Sequence, residues 1–320
     1  MARHSRVPNA ELDQDVSQEL QRQGLTTTHL ISVGGWDSAH PNTSFSAAEW
    51  HDEWIRWNRD EVARNGFKGY DGLDWDIEGV DKWNSTQNTF SLDLLNLMGQ
   101  FSEMLQANSQ VVSLTPCESY LDVTSMLFDL NLTHAYPEWP MFPYHGRNTY
   151  AYLIAKYGAA FDVVNVQLYE SWSHADYQIG VVQVPAKAYL ESWFRNVVHG
   201  WFVDFANTAF NIPGAYVPGM DIPSQFIKLK PSQTVVGLAN GWTSKGAAAG
   251  NASKALLIEP NQLEAAYRTL NSTGTSPRGF MYWDIASEGS VPEGEDGPLW
   301  MAQSLNSFLN TRPALPAAQA

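Results

Sequence analysis

Short runs of apolar and β-branched residues alternate along this chain with longer amphipathic stretches. Such alternation is typical of βαβ units and predicts an α/β fold with a parallel sheet. The predicted strands are His29–Val33, Gly69–Ile77, Val111–Leu114, Phe161–Leu168, Thr234–Leu238 and Gly279–Trp283. The predicted helices are Ala10–Gln23, Ser46–Asn65, Thr86–Ala107, Ala186–Asn207, Asn261–Leu270 and Leu299–Asn310. Because no repeat or linker interrupts the series, a single domain over residues 1–310 is predicted, followed by a flexible tail at 311–320.

The net charge and the hydrophobicity of the chain limit the kinds of partner that it can bind. The chain has 19 basic and 34 acidic residues, a formal net charge of −15. A field of this sign repels polyphosphate, so no nucleic-acid partner is expected. No apolar run is long enough to span a bilayer, and no membrane partner is expected either. The 13 Trp residues exceed what a core normally needs, which suggests a ligand with flat apolar faces, such as a sugar.

Cys117 is the single cysteine of the sequence. It excludes an intramolecular disulfide framework and a Cys-rich zinc site. We expect it to be a buried small hydrophobe.

The targeting signals conflict. The N-terminal residues are polar and contain no apolar leader. Asn-x-Ser/Thr sequons, which indicate a secretory-pathway ancestor, begin at Asn42, Asn84, Asn131, Asn251 and Asn271. The localisation is therefore left open, and the oligomeric state is also open.

The most informative segment is Tyr70–Glu78, with the sequence YDGLDWDIE. Because strand side chains alternate, Asp74, Asp76 and Glu78 would project from one face. Burial of three neighbouring carboxyl groups raises the proton affinity of at least one of them. A carboxyl group that holds its proton in this way can act as a general acid.

A solvated acidic strand end, or a hard-cation site, is the simpler interpretation of such a pattern. Leu73, Trp75 and Ile77 favour the buried interpretation, because they give the opposite face an apolar surface that helices would cover. No further His or carboxylate at another strand end suggests a metal site, and none is predicted.

These residues resemble those of glycoside hydrolase family 18, which comprises chitinases and related endo-β-N-acetylglucosaminidases. The D-G-x-D-x-D-x-E signature of the family is matched by Asp71, Gly72, Asp74, Asp76 and Glu78. The preceding predicted strand carries Ser32–Trp36, which is similar to the S-x-G-G segment of the family. Alone, that segment would indicate only a tight strand-to-loop turn.

Two later strands extend the resemblance. The segment Val163–Glu170 is similar to the sixth strand of the family and includes Gln167 and Tyr169. The segment Gly279–Asp284 is similar to the eighth strand, whose Trp, here Trp283, forms the floor of the sugar pocket. Ordinary aromatic packing is the alternative for both rings.

The resemblance implies a TIM-type (β/α)8 barrel and a retaining glycosidase that uses no cofactor. Glu78 would be the general acid and base, while the 2-acetamido group of the substrate attacks the anomeric carbon. Asp76 and Tyr169 would orient and stabilise that group, and Asp74 would share a proton with Asp76. The substrate would be β-1,4-linked N-acetylglucosamine in chitin or chitooligosaccharides.

The remaining site predictions concern substrate binding. Trp283 would stack under the sugar ring, and Gln167 would bond near the acetamido group. The other predicted substrate-binding residues are Gly35, Trp36, Asn240 and Trp242. A turn residue and a packing ring are the alternatives for Asn240 and Trp242.

Two other functions compatible with the motifs remain open. One is cleavage of the core chitobiose of N-glycans, for which Glu170 is a point of difference, since similar segments often have Asn or Asp there. The other is a non-catalytic oligosaccharide-binding, lectin-like protein. Such family members usually lack the final Glu of the signature, which is present here as Glu78.

The family barrel has two strands before the S-x-G-G segment. Here about thirty residues precede Ser32, and they predict one helix. We therefore expect a barrel that is incomplete at its N-terminal side, with six strands visible in the sequence. A late gene-model start, a short isoform or a different closure would each explain this, and the first is favoured.

Overall fold

The computed structural model describes residues 10–64, 66–80, 85–132, 147–170, 173–206, 219–243 and 255–310. The chain forms two compact units. Unit 1 comprises Met1–Val166 and Gly200–Lys228, and unit 2 comprises Gln167–His199 and Leu229–Ala320.

Unit 1 contains a run of parallel strands. These are β1 (Leu30–Gly35), β2 (Gly72–Ile77), β3 (Val111–Leu114) and β4 (Val163–Gln167), which are neighbours in that order; the last residue of β4 belongs to unit 2. The helices are α1 (Ala10–Arg22), α2 (Ala47–Trp57), α3 (Leu92–Ala107) and α4 (Ala151–Tyr157). A short antiparallel pair, β5 (Trp201–Val203) and β6 (Gln225–Ile227), completes the unit.

Unit 2 contains α5 (Ala186–His199), β7 (Thr234–Ala239), α6 (Pro260–Ser272), β8 (Gly279–Trp283) and α7 (Met301–Leu309). Strands β7 and β8 pair in parallel, with Ala239 opposite Trp283. Pro260 lies in the first turn of α6, where its missing N–H costs no hydrogen bond. None of the described helices, in either unit, is long and apolar enough to cross a membrane.

The α/β class is confirmed, and each of the six predicted runs overlaps one of β1, β2, β3, β4, β7 and β8; β1 and β7 extend two residues and one residue beyond their predicted ends. Each of these strands is followed by a helix, the repeating element of a TIM-type barrel. The single domain over residues 1–310 stays a prediction. The predicted tail at 311–320 lies outside the described residues.

The predicted helix Ala186–Asn207 is wrong in its second half. Helix α5 ends at His199, and β5 begins two residues later. Gly200 separates them with a φ of +96°, a left-handed conformation that glycine adopts without strain and that commonly ends a helix. Helix α4 was not predicted, because its seven residues are too few to show a helical period. The β5–β6 pair was not predicted either.

Strand β2 packs one face against α3. Leu73, Trp75 and Ile77 are buried, as their alternation predicts. The Trp75 indole N–H donates a hydrogen bond to Ser102 Oγ on α3 at 2.9 Å, and the Trp75 ring meets Phe101 edge-on. Since strand side chains alternate, this packing directs the intervening acidic side chains to the other face of the sheet.

Candidate active site

Two glycines of the recognised motifs allow β2 to lie between its neighbours. A Cβ at Gly72 would lie 1.8 Å from the carbonyl oxygen of Val111 on β3. A Cβ at Gly34 on β1, where φ is +122°, would lie 2.1 Å from the carbonyl oxygen of Asp76. Neither position accommodates a side chain. Both glycines therefore allow β2, which carries the acidic residues, to lie close to its neighbouring strands.

Asp71, the first residue of the acidic motif, is bound outside the acidic face. Its Oδ2 accepts a hydrogen bond from the His29 backbone N–H at 2.9 Å, and its Oδ1 pairs with Lys68 Nζ at 2.5 Å. Burial works to raise its pKa, but the His29 N–H and the Lys68 ammonium together hold the pKa of Asp71 below its usual value. Asp71 therefore ties the start of β2 to the segment before β1.

Asp74 is half-buried and lies among hydroxyl groups. Ser32 Oγ on β1 donates to Asp74 Oδ2 at 2.9 Å, and Thr115 Oγ1 donates to Oδ1 at 2.6 Å. Ser113 Oγ on β3 also donates to Oδ1. Burial raises the pKa of Asp74, and the three hydroxyl hydrogen bonds oppose that rise.

The hydrogen bonds around Asp74 extend to a residue of β4. Asn165 Nδ2 donates a hydrogen bond to Thr115 Oγ1 at 3.1 Å. Sequence reasoning missed Ser113, Thr115 and Asn165 as partners of the acidic strand. A signal was present for Ser113, which is the single polar residue of the predicted strand Val111–Leu114.

Asp76 and Glu78 follow at the carboxyl end of β2. Asp76 is half-buried, and its Oδ2 lies 3.9 Å from the point that a Cβ of Gly35 would occupy. Glycine at position 35 thus leaves room beside the Asp76 carboxylate. Glu78 is 5% exposed, and the Cys117 sulfur lies within 4.8 Å of one of its carboxylate oxygens. Cys117 is buried as predicted, but its place beside Glu78 was not foreseen.

Unit 2 brings together a second set of predicted site residues. The Trp242 indole N–H donates a hydrogen bond to the Trp283 carbonyl oxygen at 2.5 Å. The Trp242 ring meets Tyr169 edge-on, with ring centres 6.1 Å apart. Tyr169 is buried, whereas 57% of Trp283 is exposed at the end of β8. An exposed aromatic face of this kind can stack against a sugar ring.

Asn240 is fully buried and bonded to the chain that follows β8. Its Nδ2 donates to the Asp284 carbonyl oxygen at 2.7 Å, and its Oδ1 accepts from the Asp284 N–H at 3.0 Å. Nδ2 also lies 3.2 Å from Glu288 Oε2. This geometry favours the structural alternative for Asn240, whose part in a subsite stays a prediction.

Two further predicted residues, Gln167 and Trp36, lie at the ends of β4 and β1. Gln167, at the end of β4, is buried. Trp36, directly after β1 and Gly35, is 40% exposed. The structure therefore gathers Asp74, Asp76, Glu78 and Gly35 around β2 in unit 1, and Tyr169, Asn240, Trp242 and Trp283 at the ends of strands in unit 2. The roles of all these residues in catalysis or binding stay predictions.

No protein-family model matches the chain, and no curated protein matches it. The chain is similar to several solved structures. A GH18 chitinase from Pseudoalteromonas aurantia is 14% identical with a TM-score of 0.47, over 86% of this chain and 75% of the chitinase. Catalytic domain 2 of the Group II chitinase of Ostrinia furnacalis is 10% identical with a TM-score of 0.48, over 97% and 86%. The Group IV chitinase of the same organism in complex with allosamidin is 15% identical with a TM-score of 0.46, over 94% of this chain and 85% of the chitinase. These values are too low to identify the family or the activity of the chain.

Proposed function

We propose that this protein is a retaining glycoside hydrolase that cleaves β-1,4-linked N-acetylglucosamine in chitin or chitooligosaccharides. Glu78 is the general acid and base in this proposal. The observation that carries it is the acidic face of β2, where Asp74 is bound by three hydroxyl groups and Glu78 is buried at the strand's carboxyl end. A buried carboxyl group retains a proton more readily than a solvated one, which suits it to donate that proton to a leaving group.

The proposed reaction has two steps and takes its form from the family 18 resemblance. In the first, Glu78 protonates the glycosidic oxygen, the bond from that oxygen to the anomeric carbon breaks, and the acetamido carbonyl oxygen bonds to the anomeric carbon. In the second, water attacks the anomeric carbon of the resulting oxazolinium ion, the bond from that carbon to the acetamido oxygen breaks, and the Glu78 carboxylate accepts a proton from the water. Two displacements at one carbon give net retention.

Asp76 has the supporting role of orienting the acetamido group. A carboxylate that accepts a hydrogen bond from the acetamido N–H fixes the attacking oxygen and stabilises the developing positive charge. The open space beside Asp76 at Gly35 is compatible with a ligand group there. Tyr169 as donor to the acetamido oxygen and Trp283 as stacking surface are further predictions of the same proposal.

Replacement of Glu78 by Gln tests the proposal. The variant should lose hydrolysis of a chitin oligosaccharide while retaining its binding, because the amide keeps the shape of the side chain but has no transferable proton. Glu103→Gln is the matched control, since Glu103 is exposed on α3. Turnover by Glu78→Gln at the wild-type rate would refute the assignment.

The substrate is decided by assaying the wild-type protein on a chitin oligosaccharide and on an N-glycan in parallel. Preferential release from the N-glycan would assign the core chitobiose as the substrate. Binding of either sugar without turnover would indicate a lectin-like protein and would refute the proposed hydrolysis.

A further inference from the structure

The pairing of β2 with β3 ends just before the residue proposed as general acid. Strand β3 pairs with β2 as far as Trp75, and the last ladder bond is from the Thr115 N–H to the Trp75 carbonyl oxygen at 2.8 Å. Ile77 and Gly79, which flank Glu78, lie beyond that point. Both Ile77 and Gly79 are buried, and buried backbone groups need hydrogen-bond partners.

Tyrosine hydroxyls supply those partners. Tyr150 Oη accepts a hydrogen bond from the Ile77 N–H at 2.9 Å and donates one to the Ile77 carbonyl oxygen at 3.0 Å. Tyr120 Oη accepts a hydrogen bond from the Gly79 N–H at 3.1 Å. The backbone on each side of Glu78 is therefore held by a side chain where β3 no longer reaches.

Asn88 continues the pattern at the next residue. Its Oδ1 accepts from the Val80 N–H at 2.6 Å, and its Nδ2 donates to the Val80 carbonyl oxygen at 3.0 Å. Because the oxygen and the nitrogen of the Asn88 side-chain amide both bond to Val80, the chain leaving β2 has a fixed path. The tyrosine bonds are thus part of a continuous set of side-chain contacts along Ile77–Val80.

The packing of the two tyrosines keeps their hydroxyls in place. Tyr120 and Tyr150 are fully buried and stacked, with ring centres 6.1 Å apart and planes at 20°. Phe90 meets both rings edge-on, at 6.3 and 6.2 Å. Burial, and then the nearby Asp76 carboxylate, raise the pKa of Tyr150, so its hydroxyl stays protonated and able to donate.

We infer that Tyr150 and Tyr120 are positioning residues that set the Glu78 carboxyl group for the proposed hydrolysis. Neither residue is assigned a contact with the substrate. They act through the backbone of Ile77 and Gly79, which determines where the Glu78 side chain begins. The inference rests on the proposed function and adds to it the residues that fix its general acid.

The test replaces Tyr150 by Phe and measures kcat and KM on a chitin oligosaccharide. Loss of the hydroxyl leaves both polar groups of Ile77 without their partner, so Glu78 shifts. Because a misplacement of about 1 Å can cost about 100-fold in rate, we expect kcat to fall between about 10-fold and 100-fold. KM should stay within about twofold of wild type.

Tyr152→Phe is the matched control. Tyr152 lies on α4, is fully buried, and donates a hydrogen bond to Asn96 Oδ1 at 2.9 Å. Its replacement therefore removes a buried hydroxyl of the same kind from a place that does not hold β2. Both kcat and KM of this variant should stay within about twofold of the wild-type values.

Hydrogen exchange at the Ile77 amide gives a readout that does not depend on activity. Exchange should accelerate in Tyr150→Phe and stay unchanged in Tyr152→Phe, because only the former removes the acceptor of that N–H.

An unchanged kcat in Tyr150→Phe, or equal losses of kcat in both variants, would overturn the inference. Should Tyr150→Phe fail to fold, Tyr120→Phe is measured with the Gly79 amide in the same way. A wild-type protein without hydrolytic activity would refute the proposed function. Unchanged exchange of the Ile77 amide in Tyr150→Phe would separately refute the hydrogen bond on which the inference depends.

Discussion

Asp176 should make the stability of this protein depend on pH. It is fully buried in unit 2, and within the described part of the chain neither carboxyl oxygen has a hydrogen-bond partner. Burial raises the pKa of Asp176 to about 7. An aspartate in an unfolded chain has a pKa of about 3.9, so folding strengthens proton binding at this residue.

The sign and size of the effect follow from linkage. Between about pH 4 and pH 7 the native protein holds a proton that the unfolded chain has released, so the free energy of unfolding falls as the pH rises. The loss is about 1.4 kcal/mol per pH unit and reaches about 4 kcal/mol at pH 7, where it levels off. Below about pH 4 Asp176 is protonated in both states, and its charge no longer lowers the free energy of unfolding.

Asp176→Asn removes this titration. The free energies of unfolding of the variant and the wild type are measured by urea denaturation at pH 4, 5, 6, 7 and 8. The variant's advantage over the wild type should grow by about 4 kcal/mol between pH 4 and 7 and then stay constant. Asp296→Asn, at an exposed residue of the same unit, should show no such trend. A difference that is independent of pH, or that shrinks as pH rises, would show that the Asp176 carboxylate has a stabilising partner.

Further predictions concern the site and its strands. Trp283→Ala should weaken chitin-oligosaccharide binding about tenfold by isothermal titration calorimetry, while changing stability by less than about 0.5 kcal/mol, because the ring is exposed. Thr115→Val should destabilise the protein by about 1–3 kcal/mol at pH 8 and by less at pH 4, since the lost hydroxyl bond favours the Asp74 carboxylate; equal losses at both pH values would contradict this. Gly72→Ala should prevent soluble expression, because the new Cβ would meet the backbone of β3, whereas Gly279→Ala, with no atom within 4 Å of the new Cβ, should fold.

The acidic strand could be predicted because its information is local. Alternation along YDGLDWDIE separates acidic from apolar side chains whatever the rest of the chain does. The structure agrees, with Leu73 and Trp75 buried against the helical side and Asp74 on the opposite face. The two motif glycines have a different explanation, since each lies where a neighbouring strand comes too close for a Cβ.

The partners of that strand could not be predicted, because they are distant in sequence. Tyr150 is 73 residues from Ile77, and Tyr120 is 41 residues from Gly79. Their bonds depend on how these distant segments pack beside the end of β2, which no local period encodes. For Asn240 the position at a strand end was predicted. The orientation of its side chain was not, because it depends on Asp284, which is 44 residues away.

The partners of Asp74 bear on how the acidic face could change its protonation. Burial raises the pKa of Asp74, while Ser32, Ser113 and Thr115 each donate a hydroxyl hydrogen bond that favours its charged form. A hydroxyl group can turn from donor to acceptor, whereas an ammonium or guanidinium group can only donate. Asp74 can therefore gain or lose a proton while keeping hydrogen-bonded partners in either state. A cation in the same place would hold Asp74 ionised and prevent it from sharing a proton with Asp76, so neutral hydroxyls are the partners that the proposed proton sharing requires.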